Sequence, residues 1–438
     1  MTKTVKDVVF RHLCTQCGTC VAVCPQNAIE MQETPSGMLT PLILEEKCVQ
    51  CGTCRKLCPG LAVEIKPQGV DPFKGNVCAA FVGHACDDFV RYTGQSGGVV
   101  SAILIYLLET NQINAALVTV MPANGTLRPE PILARKRSEI LAAQGSKYCP
   151  VAANKALKDI TAGDHIATVG VSCQIHGIQA LMRDKESLRN NIKYKIGLFC
   201  DRTMFYTCID MMSKNAGIKR KRIESMEFRS KKRNGWPGEV CFQLHSGNRR
   251  YFPAFLRTSV KDYFTPPRCR LCFDKLNVLS DLSIGDPWGL CESDTKNSSV
   301  IIARNDKALS LLNNACNNGF LKLKEISAEL IYEGQGVEQR RRNFTAFSAI
   351  WHEMGRTLPE YRGLDYDLNN IVHFNEIEVL RRKLLLNCHI AESTNKQAAL
   401  ATVKRQMLKD RKKSPASKPL KKLKKKLKRL LKVRSFFL

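Results

Sequence analysis

Two stretches, Cys14-Thr-Gln-Cys17-Gly-Thr-Cys20-Val-Ala-Val-Cys24-Pro25 and Cys48-Val-Gln-Cys51-Gly-Thr-Cys54-Arg-Lys-Leu-Cys58-Pro59, decide how the chain begins. Both read C-x-x-C-x-x-C-x-x-x-C-P, and the second repeats the first at an offset of 34 residues. Three thiols at that spacing wrap a tight loop, and Gly18 and Gly52 permit its turn. The fourth thiol starts the following helix, directly ahead of a proline. A zinc site needs four ligands but needs neither the three-cysteine run nor the Cys-Pro, so a cubane of iron and sulfide is the better fit.

This is the pattern of bacterial two-cluster ferredoxins, in which the fourth cysteine serves the other cluster. Cys14, Cys17, Cys20 and Cys58 are therefore expected to hold one [4Fe–4S] cluster. Cys48, Cys51, Cys54 and Cys24 are expected to hold the second. The predicted ferredoxin domain spans residues 1–66.

Working outward, 438 residues suggest two or three domains, and a hydrophobic fraction of 44% supports a real core. Twenty cysteines in a long chain, clustered at Cys-x-x-Cys spacing, read as reduced thiolates serving metal rather than as disulfides. No apolar run approaches the length of a membrane span, and the first ten residues lack the layout of a signal peptide. The expected location is cytoplasmic. Net charge is +28, of which the stretch from Lys404 carries a large share. Anionic clusters and phosphate-bearing cofactors would offset part of the rest.

Lys66 to Gly75 holds two prolines and two glycines and reads as a linker. Residues 77–305 then alternate apolar runs with helical stretches. Ala115 to Val120, Ile166 to Val171 and Tyr194 to Phe199 look like buried strands, which predicts an α/β domain with a mainly parallel sheet. Glu239 to Leu244 and Arg249 to Phe252 read as a hairpin. Residues 306–403 read as mainly helical, and 404–438 as a basic amphipathic tail. The overall class is α/β, or α+β with the ferredoxin-like domain included.

Gly94-Gln95-Ser96-Gly97-Gly98 precedes the apolar helix Val99 to Glu109, with Ser101 in its first turn. Such a loop either cradles phosphate at the helix N-terminus or is an ordinary glycine turn. Ser146-Lys147-Tyr148 offers a cation beside an aromatic ring, although the residues alone favour a surface turn. Cys173 follows one predicted strand and Cys200 ends another, at the carboxyl edge where α/β sheets bind ligands. Cys269-x-x-Cys272 adds two thiols at chelating spacing. The four make either a third cluster site or, for Cys173 and Cys200, buried core thiols. Asp286 ends a short strand and either bonds a cofactor hydroxyl, acts in proton transfer or caps a turn.

Taken together, Gly94–Ile103, Ser146–Tyr148, Val169–Ile175, Gly197–Cys200, Cys269–Cys272 and Asp281–Gly289 resemble the β subunit family of coenzyme F420 hydrogenase and dehydrogenase. The resemblance covers roughly Cys78 to Gly289. It implies FAD bound by the Gly94–Ser101 loop and the Ser146–Tyr148 segment, with Asp286 nearby. It also implies a third [4Fe–4S] cluster on Cys173, Cys200, Cys269 and Cys272. Cys149, directly after Tyr148, adds a thiol that can compete as a ligand. The family passes electrons between clusters and flavin, and hydride between flavin and coenzyme F420 or another organic partner. No residue is assigned a catalytic role.

The leading expectation is an iron–sulfur flavoprotein oxidoreductase. The alternative is a non-catalytic electron-transfer subunit of a larger redox complex. Either implies a redox partner protein or ferredoxin. In the tail, leucines 420, 423, 427, 430 and 431 share one helical face among lysines, which suggests the surface of an anionic membrane at the inner face rather than specific nucleic acid.

Overall fold

The computed structural model describes residues 3–65, 70–290, 297–365 and 374–413. The cysteine repeat folds first into two short helices, Thr19–Val23 and Thr53–Lys56, each entered through a left-handed glycine. Gly18 and Gly52 have φ of 83° and 79°, values that side-chain-bearing residues rarely adopt. The strands Ile29–Glu33 and Leu39–Ile43 pair antiparallel beside them.

The middle of the chain builds one eight-stranded sheet from β1 (Ala79–Ala85), β2 (Ala115–Val120), β3 (Glu130–Ala134), β4 (Ile166–Val171), β5 (Ile192–Leu198), β6 (Leu282–Gly285), β7 (Ser299–Ala303) and β8 (Leu321–Glu325). The order is β8-β1-β7-β6-β5-β4-β2-β3. The central strands β6, β5, β4 and β2 pair in parallel, and the remaining pairings are antiparallel. β1 reverses β7, which reverses β6, so five strands of the eight share one direction. The continuous apolar runs of β2 and β4 suit strands buried on both faces.

Helix Val99–Glu109, apolar on nearly every side, is buried against one face with helix Asp306–Asn317. The hairpin forms as expected, but in a separate three-stranded sheet with Ile223–Ser230. The region expected to be helical also supplies β8, because its backbone pairs with the open edge of β1 while Leu321 and Leu323 join the core.

The ferredoxin segment is not a free module. Val21, Ile29 and Leu13 share a core with Leu117, Ile175 and Ile178 of the sheet domain and with Phe347 and Trp351 of the C-terminal helix Val337–Glu353. Strand Glu360–Arg362 pairs in parallel with Ala62–Glu64. Two glycines permit the seam. A Cβ at Gly18 would stand 2.8 Å from the Ala152 carbonyl oxygen, and one at Gly177 2.1 Å from Thr19 Oγ1. The expected linker is anchored too: Phe73 is buried edge-on against Phe273 and Phe344. Among the described residues no helix is long and apolar enough to cross a membrane. The leucine face read in 420–431 lies outside them.

Candidate functional site

The crossed ligand pattern has a geometric counterpart. Cys24, Cys48, Cys51 and Cys54 line one small cavity of about 20 Å³, together with Pro25, Ile29, Ile43 and Gly52. Cys51 opens this group to solvent. Cys14, Cys17 and Cys20 are buried beside Cys58, whose thiol is pushed up to about 12 by burial and then by Cys17. The Cys17 thiol lies 3.1 Å from Thr19 Oγ1, and the Cys17 carbonyl accepts from Asn154 N at 2.9 Å.

A third group forms at the carboxyl edge of the sheet. Cys173 stands in the first turn of helix Ser172–Asp184, directly after β4. Cys200 follows β5 by two residues, and Cys269 sits in the short helix Pro267–Arg270. Burial pushes the Cys173 thiol well up, and its neighbours Cys17, Cys200, Cys269 and Cys272 push it further. Four thiols gathered so closely out of water cannot all ionise unless a metal centre takes up their charge. Cys173 Sγ also lies 3.9 Å from the Thr15 carbonyl oxygen, so the inner group touches the Cys14–Cys17 loop. Cys149 is buried in the wall of the cleft that adjoins this edge, and it helps burial push the neighbouring Cys208 thiol up. These cysteines are free thiols. No three Cys, His, Asp or Glu side chains among the described residues converge to hold a single ion. A cubane, which sits between its thiols, needs no such convergence.

One cleft joins this edge to the glycine loop. It has a volume of about 350 Å³ and reaches from Gly94, Gln95 and Ser101 past Lys147 and Tyr148 to Cys173 and Cys200. Val118, Leu198 and Ile284, at the ends of parallel strands, form its apolar floor. The expected polar residues bind one another across it. Ser146 N donates to Gln95 Oε1 at 3.2 Å, and Gln144 Nε2 donates to Ser101 Oγ at 3.1 Å. Gln95 Nε2 is buried with no partner, so a donor waits in the cleft wall.

The loop glycines answer packing as well as openness. A Cβ at Gly97 would come 2.6 Å from the Gly83 carbonyl, and one at Gly98 2.5 Å from that of Val90. Gly145 differs: its added Cβ would meet nothing within 4 Å. The N-terminus of helix Val99–Glu109 has no side-chain cap, which leaves its N–H groups for a ligand. Lys147 Nζ donates to the Ala143 and Gln144 carbonyls, and burial lowers it to about 7.

Asp286 closes the far wall. Its carboxylate accepts from Arg229 at 2.6 and 3.2 Å, from Trp236 Nε1 at 3.3 Å and from the Ser96 hydroxyl. Burial alone would raise this carboxyl, yet Arg229 and the other donors hold it below the usual range. Arg229 also donates to the Tyr148 hydroxyl at 3.3 Å, and Arg257 lies over the Tyr148 ring at 4.4 Å. Neither arginine is marked in the sequence, because Arg229 in strand Ile223–Ser230 and Arg257 in helix Phe255–Lys261 both lie away from any motif. Arg268 carries a local signal, a cation directly beside the chelating pair Cys269 and Cys272.

Residues 80–158 match the model "Coenzyme F420 hydrogenase/dehydrogenase, beta subunit N-term", and residues 163–329 match its C-terminal counterpart. Residues 13–62 match a 4Fe-4S dicluster domain. The chain is 25% identical over 366 residues to coenzyme F420-dependent sulfite reductase of Methanocaldococcus jannaschii, covering 79% of this chain and 54% of that protein. It thus spans about half the length of that relative. It is 24% identical over 238 residues to coenzyme F420 hydrogenase subunit beta of Methanosarcina barkeri, covering 52% of this chain and 78% of the relative. One chain of the F420-reducing [NiFe] hydrogenase complex from Methanosarcina barkeri superposes with a TM-score of 0.51 at 20% identity. That match covers 66% of this chain and 98% of the other, and it is a likeness of fold.

Proposed function

We propose, from the premise that this chain belongs to the coenzyme F420 hydrogenase/dehydrogenase beta subunit family and carries a 4Fe-4S dicluster domain ahead of it, that it is an iron–sulfur flavoprotein oxidoreductase. It passes single electrons between ferredoxin-type clusters and FAD, and exchanges hydride with coenzyme F420 or a related organic acceptor. One observation carries this reading. The cleft of Gln95, Ser101 and Lys147 runs to Cys173 and Cys200, and Cys173 touches the loop of Cys14 and Cys17.

Cys48, Cys51, Cys54 and Cys24 hold the outer cluster, nearest solvent. Cys14, Cys17, Cys20 and Cys58 hold the next, and Cys173, Cys200, Cys269 and Cys272 the innermost. All-thiol donor sets suit iron–sulfur clusters. The Gly94–Ser101 loop and Ser146–Tyr148 would hold FAD, and the orphaned Gln95 Nε2 would be free to donate to it. When bound, FAD handles electrons singly on the cluster side and as hydride on the substrate side, which clusters cannot do. The chain supplies position and dryness. The N-terminus of helix Val99–Glu109 and Lys147 orient phosphate, and Val118, Leu198 and Ile284 keep water from the floor.

Lys147 gives this reading a pH signature. Its amine sits near pH 7 before an anion arrives, and a phosphate beside it favours the charged form. Flavin binding should then be flat with pH below 7 and take up a proton above it. Affinity should fall by as much as about tenfold per pH unit between pH 7 and 9. Calorimetry in buffers of different ionisation heat reads the proton uptake directly. Lys147→Met should bind flavin more weakly and without that slope.

The deciding experiment is iron, sulfide, zinc and released flavin counted on anaerobically purified protein. About twelve irons and one FAD per chain support the reading, because each cubane contributes four irons. About eight irons with no flavin leave only the dicluster domain and overturn it. Turnover of coenzyme F420 with an artificial one-electron donor then separates an enzyme from a subunit that only relays electrons.

A further inference from the structure

Arg268 is the residue between Pro267 and Cys269, and it is buried. Its guanidinium donates to the carbonyls of Leu271 at 3.1 Å, Pro59 at 3.3 Å and Gly60 at 3.4 Å, and to the Tyr361 hydroxyl at 2.7 Å. Pro59 and Gly60 follow Cys58 directly, and Leu271 precedes Cys272. One side chain is thus tied to the backbone of the Cys14 group and of the inner group at once. Among the described residues no carboxylate pairs with it, whereas Arg270, two residues on, has Asp262. The charges that do face it are thiols of both groups: Cys14 and Cys58 on one side, Cys173, Cys269 and Cys272 on the other. Tyr361, from the C-terminal strand, fixes the far end, and its ring lies 5.4 Å from the guanidinium.

An uncompensated cation out of water is costly, and carbonyl dipoles offset only part of that cost. Arginine does not escape by losing its proton. The missing counter-charge is supplied when both tetrads are ionised and loaded with iron. A [4Fe–4S] cluster on four thiolates is anionic, and reduction adds one more electron to it. A fixed cation between two such clusters therefore favours the reduced state of each.

We propose that Arg268 is a shared counter-charge that raises the reduction potentials of the Cys14/Cys17/Cys20/Cys58 cluster and the inner cluster together, and leaves the outer cluster alone. The inference rests on the ligand assignment above. Its role is electrostatic positioning of the electron, since the guanidinium touches no substrate. A cation serving both sites keeps neighbouring steps of the relay level, so that neither becomes a trap.

The test is an EPR-monitored redox titration of the cluster-loaded protein, with iron counted on the same sample. Arg268→Gln should lower both potentials by at least about tenfold in the reduction equilibrium, about 59 mV for a one-electron couple. The outer cluster should not move. Arg268→Lys, which keeps the charge, should hold both potentials close to wild type. That arm decides the matter even where the glutamine variant fails to assemble: a lysine variant that drops both potentials as far as removal of the charge should overturns the proposal. So do unmoved potentials in Arg268→Gln, or an equal shift of all three clusters. About twelve irons with unmoved potentials sinks this inference alone. About eight irons in the wild type overturns the ligand assignment, and this inference with it.

Discussion

Cys173→Ala should lower the iron content from about twelve to about eight per chain and leave the flavin in place, because one cubane of four irons is lost. Cys173 is the informative member of its group. It meets the thiols of Cys200, Cys269 and Cys272 on one side, and the Thr15 carbonyl and Cys17 on the other. Removing it opens the relay where the ferredoxin segment meets the cleft. Flavin reduction by a one-electron donor should fall to background. Flavin reduction by reduced coenzyme F420 should continue, since hydride arrives on the substrate side. Cys51→Ala makes the contrast. Cys51 lies at the surface, so its loss should block a protein donor while a small dye still reaches the inner clusters. The two variants together assign a direction to the chain of thiols. Full iron content and unchanged one-electron reduction in Cys173→Ala would falsify the proposed route.

The legible parts of this site were those where chemistry dictates spacing within a few residues. The repeat of Cys14 to Cys58 is of that kind, because a cubane fixes the separation of three thiols on one loop. Cys173 and Cys200 were legible for another reason. A continuous apolar run announced β4, Tyr194 to Phe199 read as a strand despite Lys195, and residues just beyond parallel strands face one edge. What stayed hidden depends on partners far along the chain. Arg268 takes its meaning from Pro59 and Gly60, more than 200 residues earlier, and from Tyr361. β8 and the strand Glu360–Arg362 lie in a stretch whose composition is helical, and each is a strand because an open edge recruits it. The ferredoxin seam was equally silent, since nothing local marks Gly177 as the place where Thr19 must fit.

Asp286 shows how an ambiguous residue resolves, and it carries the largest expected loss of stability. A strand-end acid can cap a turn or bond a ligand; here it is the counter-ion of Arg229 and the acceptor for Ser96 and Trp236. It thereby binds the glycine loop, the three-stranded sheet and the end of β6 into one wall. Asp286→Ala leaves the Arg229 guanidinium buried and unpaired, which should cost about 3–5 kcal/mol, the price of breaking a buried ion pair from one side. The loop should loosen with it, and flavin should be lost during purification. Asp286→Asn keeps the acceptor oxygen and should retain part of both. The pH dependence follows from the direction of the shift. The folded carboxyl titrates below its unfolded value, so its contribution is complete above about pH 4 and fades as acid protonates the folded group. Thermal unfolding of wild type and Asp286→Asn should therefore differ most at neutral pH and converge in acid. Curves that keep the same separation from pH 7 to pH 3 would show that the Asp286 charge does not hold this wall together.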